Sequence, residues 1–573
     1  MGQAQYLGDD WRTAGWLICH SKKTQNKRPT LVMNVSDPAA GQSNSWRGPV
    51  GKVIILMAVC LAGGLTLRMP TLLEANDISR WCTVWSLLER GTYNIDNCPW
   101  EPRTMDKVYR PSPWESATTE PKTKHFYSSK PPMLPTLIAA GLYPARQLVG
   151  LPLDHESLTD RITRNVRVED KAAPGGSRIE MQKPEPYKWS MHVVYLKPVL
   201  IVLNVLPLAL MLICYRRFLD DHSATDWAWL ASLAAFAFGT YLTVFTSTLN
   251  NHLVAAWSAF FAVMATVKAI NSPAPARAEF LKAGFFASFC ACNELPAASL
   301  VAALGLVLGL KSVRITATAF LPAVLIPLAI FFACQYAALG SLIPAYAEFG
   351  GEAYEYTGSY WTTPLDLAYF AQHPEPRAVY LTHMLVGHHG IFSLSPIFLF
   401  AFAGIGARMG RRSDRAIGLI LATLAVVGAG LAWPLYKHGG IMLSQISWMI
   451  WLVPLWLWLI PTEIAPQTNK GLCQMAWATA FLSLLVIGFY GYKTNNYGGS
   501  TQGLRWLFWL IPLWILFLPD GFRSGSENRL HRSLGYVALG VSFLSVGYGI
   551  RSPWTHPWIL DMLDRVGIYV LVR

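Results

Sequence analysis

Long apolar runs separated by short polar stretches form the main pattern of this chain from Val53 onward. Each run is about 20 residues long, which is enough to cross a hydrocarbon core of roughly 30 Å. Because backbone groups in lipid must hydrogen-bond within their own segment, the runs are predicted to be helices. The pattern predicts an all-α, polytopic membrane protein with about 13 transmembrane helices. The predicted spans are Val53–Leu67, Tyr195–Tyr215, Trp227–Ser247, Leu253–Ile270, two short helices within Lys282–Lys311, Ile315–Leu339, a segment ending at Arg408, Ala416–Leu435, Ile441–Ile460, Gln474–Tyr490, Leu504–Leu518 and Leu534–Ile550.

Basic residues between the runs predict the orientation of the spans, because loops rich in Lys and Arg stay in the cytoplasm. Residues 1–51 carry several basic residues and are predicted to form a partly disordered cytoplasmic segment. The main transmembrane domain is predicted at 52–530, with large outer loops at 70–194 and 340–390. Residues 531–573 are predicted to form the last membrane helix and an outer tail. This orientation gathers the polar side chains on the outer face.

The stretch Pro131–Val149 is apolar but is predicted not to cross the membrane. It contains Pro135 and Pro144, which interrupt helix hydrogen bonding. If it crossed, the next span would put Arg216 and Arg217 outside, against the charge rule. We therefore interpret it as an interfacial or re-entrant helix.

The first outer loop begins with a short amphipathic helix that carries Asp77. Asn76 is predicted to cap this helix, and Gly91 is predicted to end it. Two tryptophans on its apolar side favour a position in the membrane interface. Asp77 then lies at the positively polarised helix end, although spacing alone favours a simple helix-start role. The apolar side consists of Ile78, Trp81, Cys82, Trp85 and Leu88.

Composition and charge narrow the function classes. The chain is 53% hydrophobic and 14% charged, with a net charge of +13. In a polytopic protein an excess of Lys and Arg reflects the orientation of the membrane spans. Nucleic-acid binding is therefore not predicted. The nine cysteines show neither a CxxC pair nor zinc-ligand spacing. Cys82 and Cys98 share the first outer loop, and both a disulfide and two free thiols stay open.

The predicted outer face combines a carboxylate at the start of the first outer loop, Asp77, with several histidines and several cations. Transfer of a group from a phosphate needs a base for the acceptor and cations for the departing phosphate. Glycoside hydrolysis instead needs two carboxylates. The pattern therefore favours a transferase. The outer polar residues are Asp77, His125, Tyr127, Lys130, Asn250, Asn251, His252, Glu294, Glu348, His383, His388, His389, Lys437, His438 and Arg505.

Three short motifs resemble the GT-C superfamily of membrane glycosyltransferases. They are NDISRW in the first outer loop, FYSSKPPMLPTLIAA later in that loop, and TLNNH at the outer end of a predicted span. The resemblance is nearest to aminoarabinose transferase and the protein O-mannosyltransferases of bacteria, and it covers roughly residues 50 to 520 as topology and short motifs. It implies a GT-C-like fold in the bacterial inner membrane, with a periplasm-facing site.

The resemblance also implies residue roles and partners. Asp77 stands in the place of the catalytic acidic residue, and Lys130 matches the lysine of the KPP motif that contacts the donor phosphate. Arg505 is predicted to be a second phosphate contact. The implied donor is a polyprenyl-phosphate-linked sugar, and the implied acceptor is an extracytoplasmic lipid, glycan or protein. Candidate substrate-positioning residues are His125, Tyr127, Asn251 and His252.

Two departures from the family patterns concern acidic residues and leave metal dependence open. The mannosyltransferases have an acidic pair where Asp77 is followed by Ile78, and Glu74 is the nearest acidic residue. Aminoarabinose transferase has an acidic residue immediately before the KPP lysine, where this chain has Ser129. No metal ligands are assigned and no cofactor is predicted, although a divalent metal stays open.

Two other function classes compete with a transferase. A transporter or flippase would use the intramembrane Asn293, Glu294 and Pro296 as a broken-helix site near the midplane. A non-catalytic GT-C-like subunit would keep the topology without the reaction. The polar residues favour one face over a central path, which favours the enzyme.

Overall fold

The computed structural model describes residues 46–114, 123–162, 165–169, 177–181, 185–348, 351–359, 376–409, 470–494, 497–523 and 528–568. Within these ranges the chain is mostly helical. The helices of at least eight residues are α1 (Arg47–Arg68), α2 (Ala75–Arg90), α3 (Met133–Val149), α4 (His192–His222), α5 (Asp226–Phe238), α6 (Asn251–Asn271), α7 (Arg277–Asn293), α8 (Ala298–Lys311), α9 (Val313–Leu339), α10 (Arg377–Leu385), α11 (Ile397–Met409), α12 (Lys470–Lys493), α13 (Arg529–Gly549) and α14 (Trp558–Arg565). Shorter helical turns cover Glu101–Arg103, Val244–Ser247, Leu295–Ala297, Ala345–Glu348, Glu352–Tyr354, Ile391–Leu394, Arg505–Leu510, Ile511–Ile515 and Leu518–Phe522.

Five helices in the described part of the chain are long and apolar enough to cross a membrane. They are α1, α4, α6, α9 and residues Gly471–Tyr492 of α12. The mostly helical chain and these five candidate spans fit the coarse prediction of a helical membrane protein. The total of about 13 spans and the GT-C architecture stay predictions. The predicted spans Ala416–Leu435 and Ile441–Ile460, and residues 1–45 of the predicted N-terminal segment, lie outside the described residues.

The first outer loop contains the two predicted helices, but α2 packs against protein on nearly all sides. Trp81 is completely buried and Trp85 is 7% exposed, in one apolar cluster with Ile138 of α3 and Leu196 of α4. Both tryptophans therefore contact protein, and the interfacial position of the helix stays a prediction. The predicted cap is also displaced by two residues, to Glu74, whereas Gly91 ends the helix with a positive φ of 67° as predicted.

The predicted span Trp227–Ser247 is α-helical only as far as Phe238 and ends in a 3₁₀ turn at Val244–Ser247. Beyond it, the hydroxyl groups of Thr240 and Thr243 donate to backbone carbonyls at 3.0 and 2.8 Å, which competes with regular helix bonding. Asn204 of α4 supports the irregular stretch by donating to two of its carbonyls, at 3.0 and 2.9 Å. The chain can then turn at Asn250, whose side chain caps α6.

The predicted break between two short helices is confirmed at Glu294. Helix α7 ends at Asn293, Glu294 is extended with φ −132° and ψ 102°, and a short turn containing Pro296 leads into α8. Proline at the start of a turn lacks an N–H that would otherwise need a partner. The predicted span Leu504–Leu518 is likewise divided into short turns. Two of these turns carry proline within their first two positions, where its missing N–H needs no partner.

The described chain also contains six strands, so it is not entirely helical. Strands β1 (Lys107–Pro111) and β2 (Lys124–Ser128) form an antiparallel pair that places Val108 opposite Tyr127. Residues 151–190, for which the sequence suggests no function, include β3 (Glu156–Ile162), β4 (Asn165–Glu169), β5 (Ser177–Met181) and β6 (Glu185–Ser190). In these, β3 pairs with β6 and β4 pairs with β5. Cys82 and Cys98 lie buried in one cluster as free thiols.

Candidate functional site

Asp77 lies in the first turn of α2 and is only 2% exposed. Its two carboxylate oxygens differ in their hydrogen bonding. Oδ2 accepts a hydrogen bond of 3.1 Å from the indole N–H of Trp554, which follows the last long helix α13. Oδ1 is buried and has no hydrogen-bond partner within the described part of the chain. A buried polar atom without a partner is costly, which makes Oδ1 a candidate ligand contact.

The pKa of Asp77 is raised from its ordinary value of 3.8 to about 7. Burial is the main cause, because it disfavours the charged carboxylate, and the charge of Glu74 adds to the rise. The positive charges of Arg80 and Arg505 and the hydrogen bond from Trp554 oppose it. A carboxylate with a pKa near neutrality is well matched to general-base catalysis.

Arg505 begins a short 3₁₀ turn and is buried to 9% exposure. Its guanidinium carbon lies 4.6 Å from the centre of the Trp554 ring, a cation–π contact. Its Nε and Nη1 atoms are buried and have no hydrogen-bond partner among the residues described. The guanidinium interacts electrostatically with Asp77, Asp106 and Glu294. Arg505 therefore has buried N–H groups available for an anion in the same region as Asp77.

Lys130 is held by Asp106, a residue that the sequence analysis did not single out. The ammonium group lies 3.0 Å from Asp106 Oδ1. The backbone carbonyl of Asp106 accepts hydrogen bonds from the Ser79 hydroxyl, at 2.5 Å, and from the Ser129 N–H, at 3.0 Å. Burial lowers the pKa of Lys130, as do the charges of Arg80 and Arg505, whereas Asp106 raises it. The ion pair with Asp106 thus helps to keep a partly buried lysine charged.

Asn251 joins α2 to the break between α7 and α8. Its side-chain oxygen accepts from Arg80, and its side-chain nitrogen donates to Glu294 Oε1 and to the Asn293 carbonyl, each at 2.7 Å. His252 contacts the same Glu294 carboxylate. Burial lowers the pKa of Arg80 to about 10, while Asp106 and Asp77 oppose this shift. Arg80 is therefore surrounded by carboxylates of three separate segments.

The structure brings five predicted site residues into one electrostatic network, which we call the polar cluster. It comprises Asp77, Arg80, Asp106, Lys130, Asn251, His252, Glu294, Arg505 and Trp554. Asp106 and Trp554 belong to it although no local motif marks them. Helix ends and loops supply every member except Arg80, which lies in the second turn of α2.

His125 and Tyr127 have contacts of a different kind, within the β1–β2 hairpin. His125 Nδ1 lies 2.5 Å from Asp96, whose other oxygen accepts from the Phe126 N–H at 2.8 Å. Tyr127 is buried in a small apolar cluster with Val108 and neighbours from residues 345–354. These contacts give both residues a structural role in the hairpin, and their substrate-positioning role stays a prediction.

The described part of the chain contains no cluster of side chains suited to binding a metal ion. No group of three or more His, Cys, Asp or Glu side chains there could hold a metal ion. His252 and Glu294 contact one another directly. We therefore derive no step that depends on a metal.

No protein-family model, curated protein or solved structure matches this chain. The resemblance to GT-C glycosyltransferases consequently stays an expectation. A function must be argued from the chemistry of the polar cluster.

Asp77→Asn is expected to stabilise the protein at pH 8 but not near pH 4. Because the folded-state pKa of Asp77 is raised to about 7, unfolding releases a proton between about pH 4 and pH 7. Asp77 thus lowers stability progressively as pH rises through this window, and asparagine removes that effect. Thermal unfolding of the detergent-solubilised protein should show a gain of several degrees at pH 8.

The matched control for this prediction is Asp221→Asn, which changes an exposed carboxylate. It should leave the unfolding temperature nearly unchanged at both pH values. An equal effect of Asp77→Asn at pH 4 and pH 8 would contradict the raised pKa.

Proposed function

We propose that this protein is a membrane glycosyltransferase that moves a sugar from a polyprenyl-phosphate donor to an extracytoplasmic acceptor, with inversion at the anomeric carbon. One observation carries the proposal. A buried carboxylate oxygen of Asp77 and buried N–H groups of Arg505 lack hydrogen-bond partners among the described residues, and both side chains contact Trp554. Such a pair suits a ligand that offers a proton donor and an anion side by side.

In the proposed reaction, ionised Asp77 takes the proton from an acceptor hydroxyl or amine. The freed electron pair attacks the anomeric carbon from the side opposite the phosphate. The bond between that carbon and the phosphate oxygen breaks, and its electrons leave with the phosphate. Arg505 and Lys130 stabilise the additional negative charge. Since phosphate leaves as an anion, no acid is needed to protonate it.

The charge balance of the polar cluster supports a phosphate at this place. Asp106 occupies one side of Lys130, and Asn251 engages Arg80. Arg505 has buried N–H groups without a hydrogen-bond partner among the described residues, and a planar guanidinium can bind two phosphate oxygens at once. We therefore assign the main phosphate contact to Arg505 and a supporting charge to Lys130.

The test of the function is transfer by the purified protein from a panel of radiolabelled polyprenyl-phosphate sugars to a membrane extract. Product formed by the wild type and absent from Asp77→Asn supports the proposal. Transfer that persists unchanged in Asp77→Asn would leave a glycosyltransferase but remove Asp77 as its base. Absence of transfer from every donor would count against the function itself.

Lys130→Ala is expected to raise the donor KM by about 10- to 100-fold, because a charge-assisted hydrogen bond contributes roughly 1.5–3 kcal/mol. Loss of the ammonium group also leaves Asp106 without its ion-pair partner, which adds repulsion toward the phosphate. Donor titrations at saturating acceptor measure the effect. Lys124→Ala is the matched control, because Lys124 begins strand β2, which ends two residues before Lys130, and pairs with Glu352 at the surface. An unchanged donor KM in Lys130→Ala would remove Lys130 from the donor site.

A transporter is the second candidate, favoured by the buried carboxylate of Glu294 at the break between α7 and α8. The contacts of Glu294 with Asn251 and His252 connect this break to the polar cluster. The two functions differ in a vesicle experiment. A transporter moves an intact lipid-linked sugar across the bilayer without an acceptor, whereas the proposed enzyme consumes it only when an acceptor is present.

A further inference from the structure

The chain that follows α13 returns to the polar cluster and is attached to the segment that carries Arg505. The backbone N–H of Gln502 donates to the Pro553 carbonyl at 3.1 Å. The Gln502 side-chain nitrogen donates to the His556 carbonyl at 2.9 Å and to the Thr555 hydroxyl at 2.5 Å. Three hydrogen bonds from one residue thus set the distance between residues 553–556 and Arg505.

Trp554 is the residue of this returning segment that enters the cluster. Its side chain is buried, with the ring edge-to-face against Phe245 at 5.5 Å and 78°. The indole N–H reaches Asp77, and the ring face receives Arg505. The three contacts use the edge, the N–H and the face of a single rigid side chain, so movement of the ring would disturb both polar partners.

We infer that Trp554 is a positioning residue that holds the base Asp77 and the phosphate-binding Arg505 in one fixed arrangement. The inference rests on the proposed function. It assigns a role in the reaction to residues 552–556, a segment outside every motif of the resemblance.

The chemistry of the indole group fits this role. Trp554 has a single N–H, which occupies one oxygen of Asp77 and leaves the other oxygen for the acceptor proton. Its ring face attracts a guanidinium without using the N–H groups that would bind phosphate. A carboxylate in the same position would neutralise Arg505 and compete with the donor. An indole orients both groups and leaves their reactive atoms accessible.

Two substitutions separate the contacts. Trp554→Phe removes the N–H but keeps an aromatic face, whereas Trp554→Leu removes both. Because the hydrogen bond from Trp554 lowers the pKa of Asp77, its loss should move that pKa upward from about 7. The groups that otherwise act on Asp77, namely Arg80, Glu74 and Arg505, are present in both variants. A shift in Trp554→Phe therefore reports the indole N–H.

The experiment combines two measurements on the full-length protein in detergent. Infrared difference spectra against Asp77→Asn follow the carboxylic-acid band of Asp77 through a pH titration without any substrate. Transfer kinetics then give the pH dependence of kcat and the donor KM. We expect Trp554→Phe to shift the midpoint of both pH titrations upward by half a unit or more, with the donor KM within threefold of wild type. We expect Trp554→Leu to raise the donor KM at least tenfold as well.

Trp558→Phe is the matched control, because Trp558 lies in the same C-terminal segment and donates to Ser545 at 2.9 Å. It should alter neither the titration nor the donor KM. An Asp77 titration in Trp554→Phe equal to that of the wild type would overturn the inference, whatever the kinetics show. A shifted titration without transfer from any donor would uphold the contact of Trp554 with Asp77 and defeat the proposed function. The two failures are thereby distinguishable.

Discussion

Asp77→Asn is expected to lower kcat by about 10²- to 10⁴-fold, the usual contribution of a general base. Asparagine has nearly the same shape and can still accept the Trp554 hydrogen bond, so the loss should come from the missing base. Donor affinity should change little, because Arg505 and Lys130 are intact. Initial rates at saturating donor and acceptor measure the effect.

The wild-type pH profile provides a second readout of the same residue. Because the pKa of Asp77 is about 7, the base is protonated at lower pH, and kcat should fall as pH decreases through 7. The residual kcat of Asp77→Asn should not fall as pH decreases through 7.

The control for Asp77→Asn is Glu89→Gln on the same helix, which alters an ion pair with Arg146 far along the helix from Asp77. We expect it to reduce thermal stability without a large change in kcat. If Asp77→Asn kept at least one tenth of the wild-type kcat, another residue would have to be the base.

Arg505→Lys is expected to lower kcat/KM for the donor by about 10²- to 10³-fold, although the formal charge is preserved. Lysine lacks the planar fork of N–H groups that binds two oxygens of one phosphate, and its ammonium is a more strongly hydrated point charge. It would also lose the stacked contact with Trp554. The loss should be shared between KM and kcat, since the phosphate gains charge as it leaves.

Competition by free polyprenyl phosphate separates binding from reaction in this variant. Its inhibition constant should rise in Arg505→Lys in parallel with the donor KM. Arg551→Lys is the control, because Arg551 is exposed and begins the returning segment without entering the polar cluster. A donor kcat/KM within threefold of wild type in Arg505→Lys would exclude Arg505 as the phosphate ligand.

Several parts of the site could be predicted from short stretches of sequence. Asp77, Lys130 and Asn251 each stand near the beginning of a helix, and Asn250 caps α6 directly before Asn251. The position of a polar side chain at a helix end depends only on the backbone of a few neighbouring residues. The break at Glu294 is local for the same reason, because Pro296 follows it immediately.

Other parts could not be predicted because they depend on contacts between distant segments. Asp106 lies in an irregular stretch whose sequence has no helix or strand period, and only its pairing with Lys130 identifies it. The apolar side of α2 predicts burial but does not distinguish lipid from protein, and the packing of α3 and α4 decides that Trp81 contacts protein. His125 looks like a site residue in sequence, whereas Asp96 engages it within the hairpin.

The sequence by itself predicted a helical membrane protein, because apolar runs of membrane-spanning length leave the backbone no other way to satisfy its hydrogen bonds in lipid. Five helices in the described part of the chain fit that prediction. The sequence also determined the polar helix ends that supply the carboxylate, the lysine and the amide. Only the tertiary structure decided which of these meet. The hydrogen bond between Asp77 and Trp554 joins residues 477 positions apart, and no local spacing encodes such a contact. It forms because folding brings Asp77 within reach of the buried indole N–H of Trp554, and a buried N–H is stabilised by a hydrogen-bond partner.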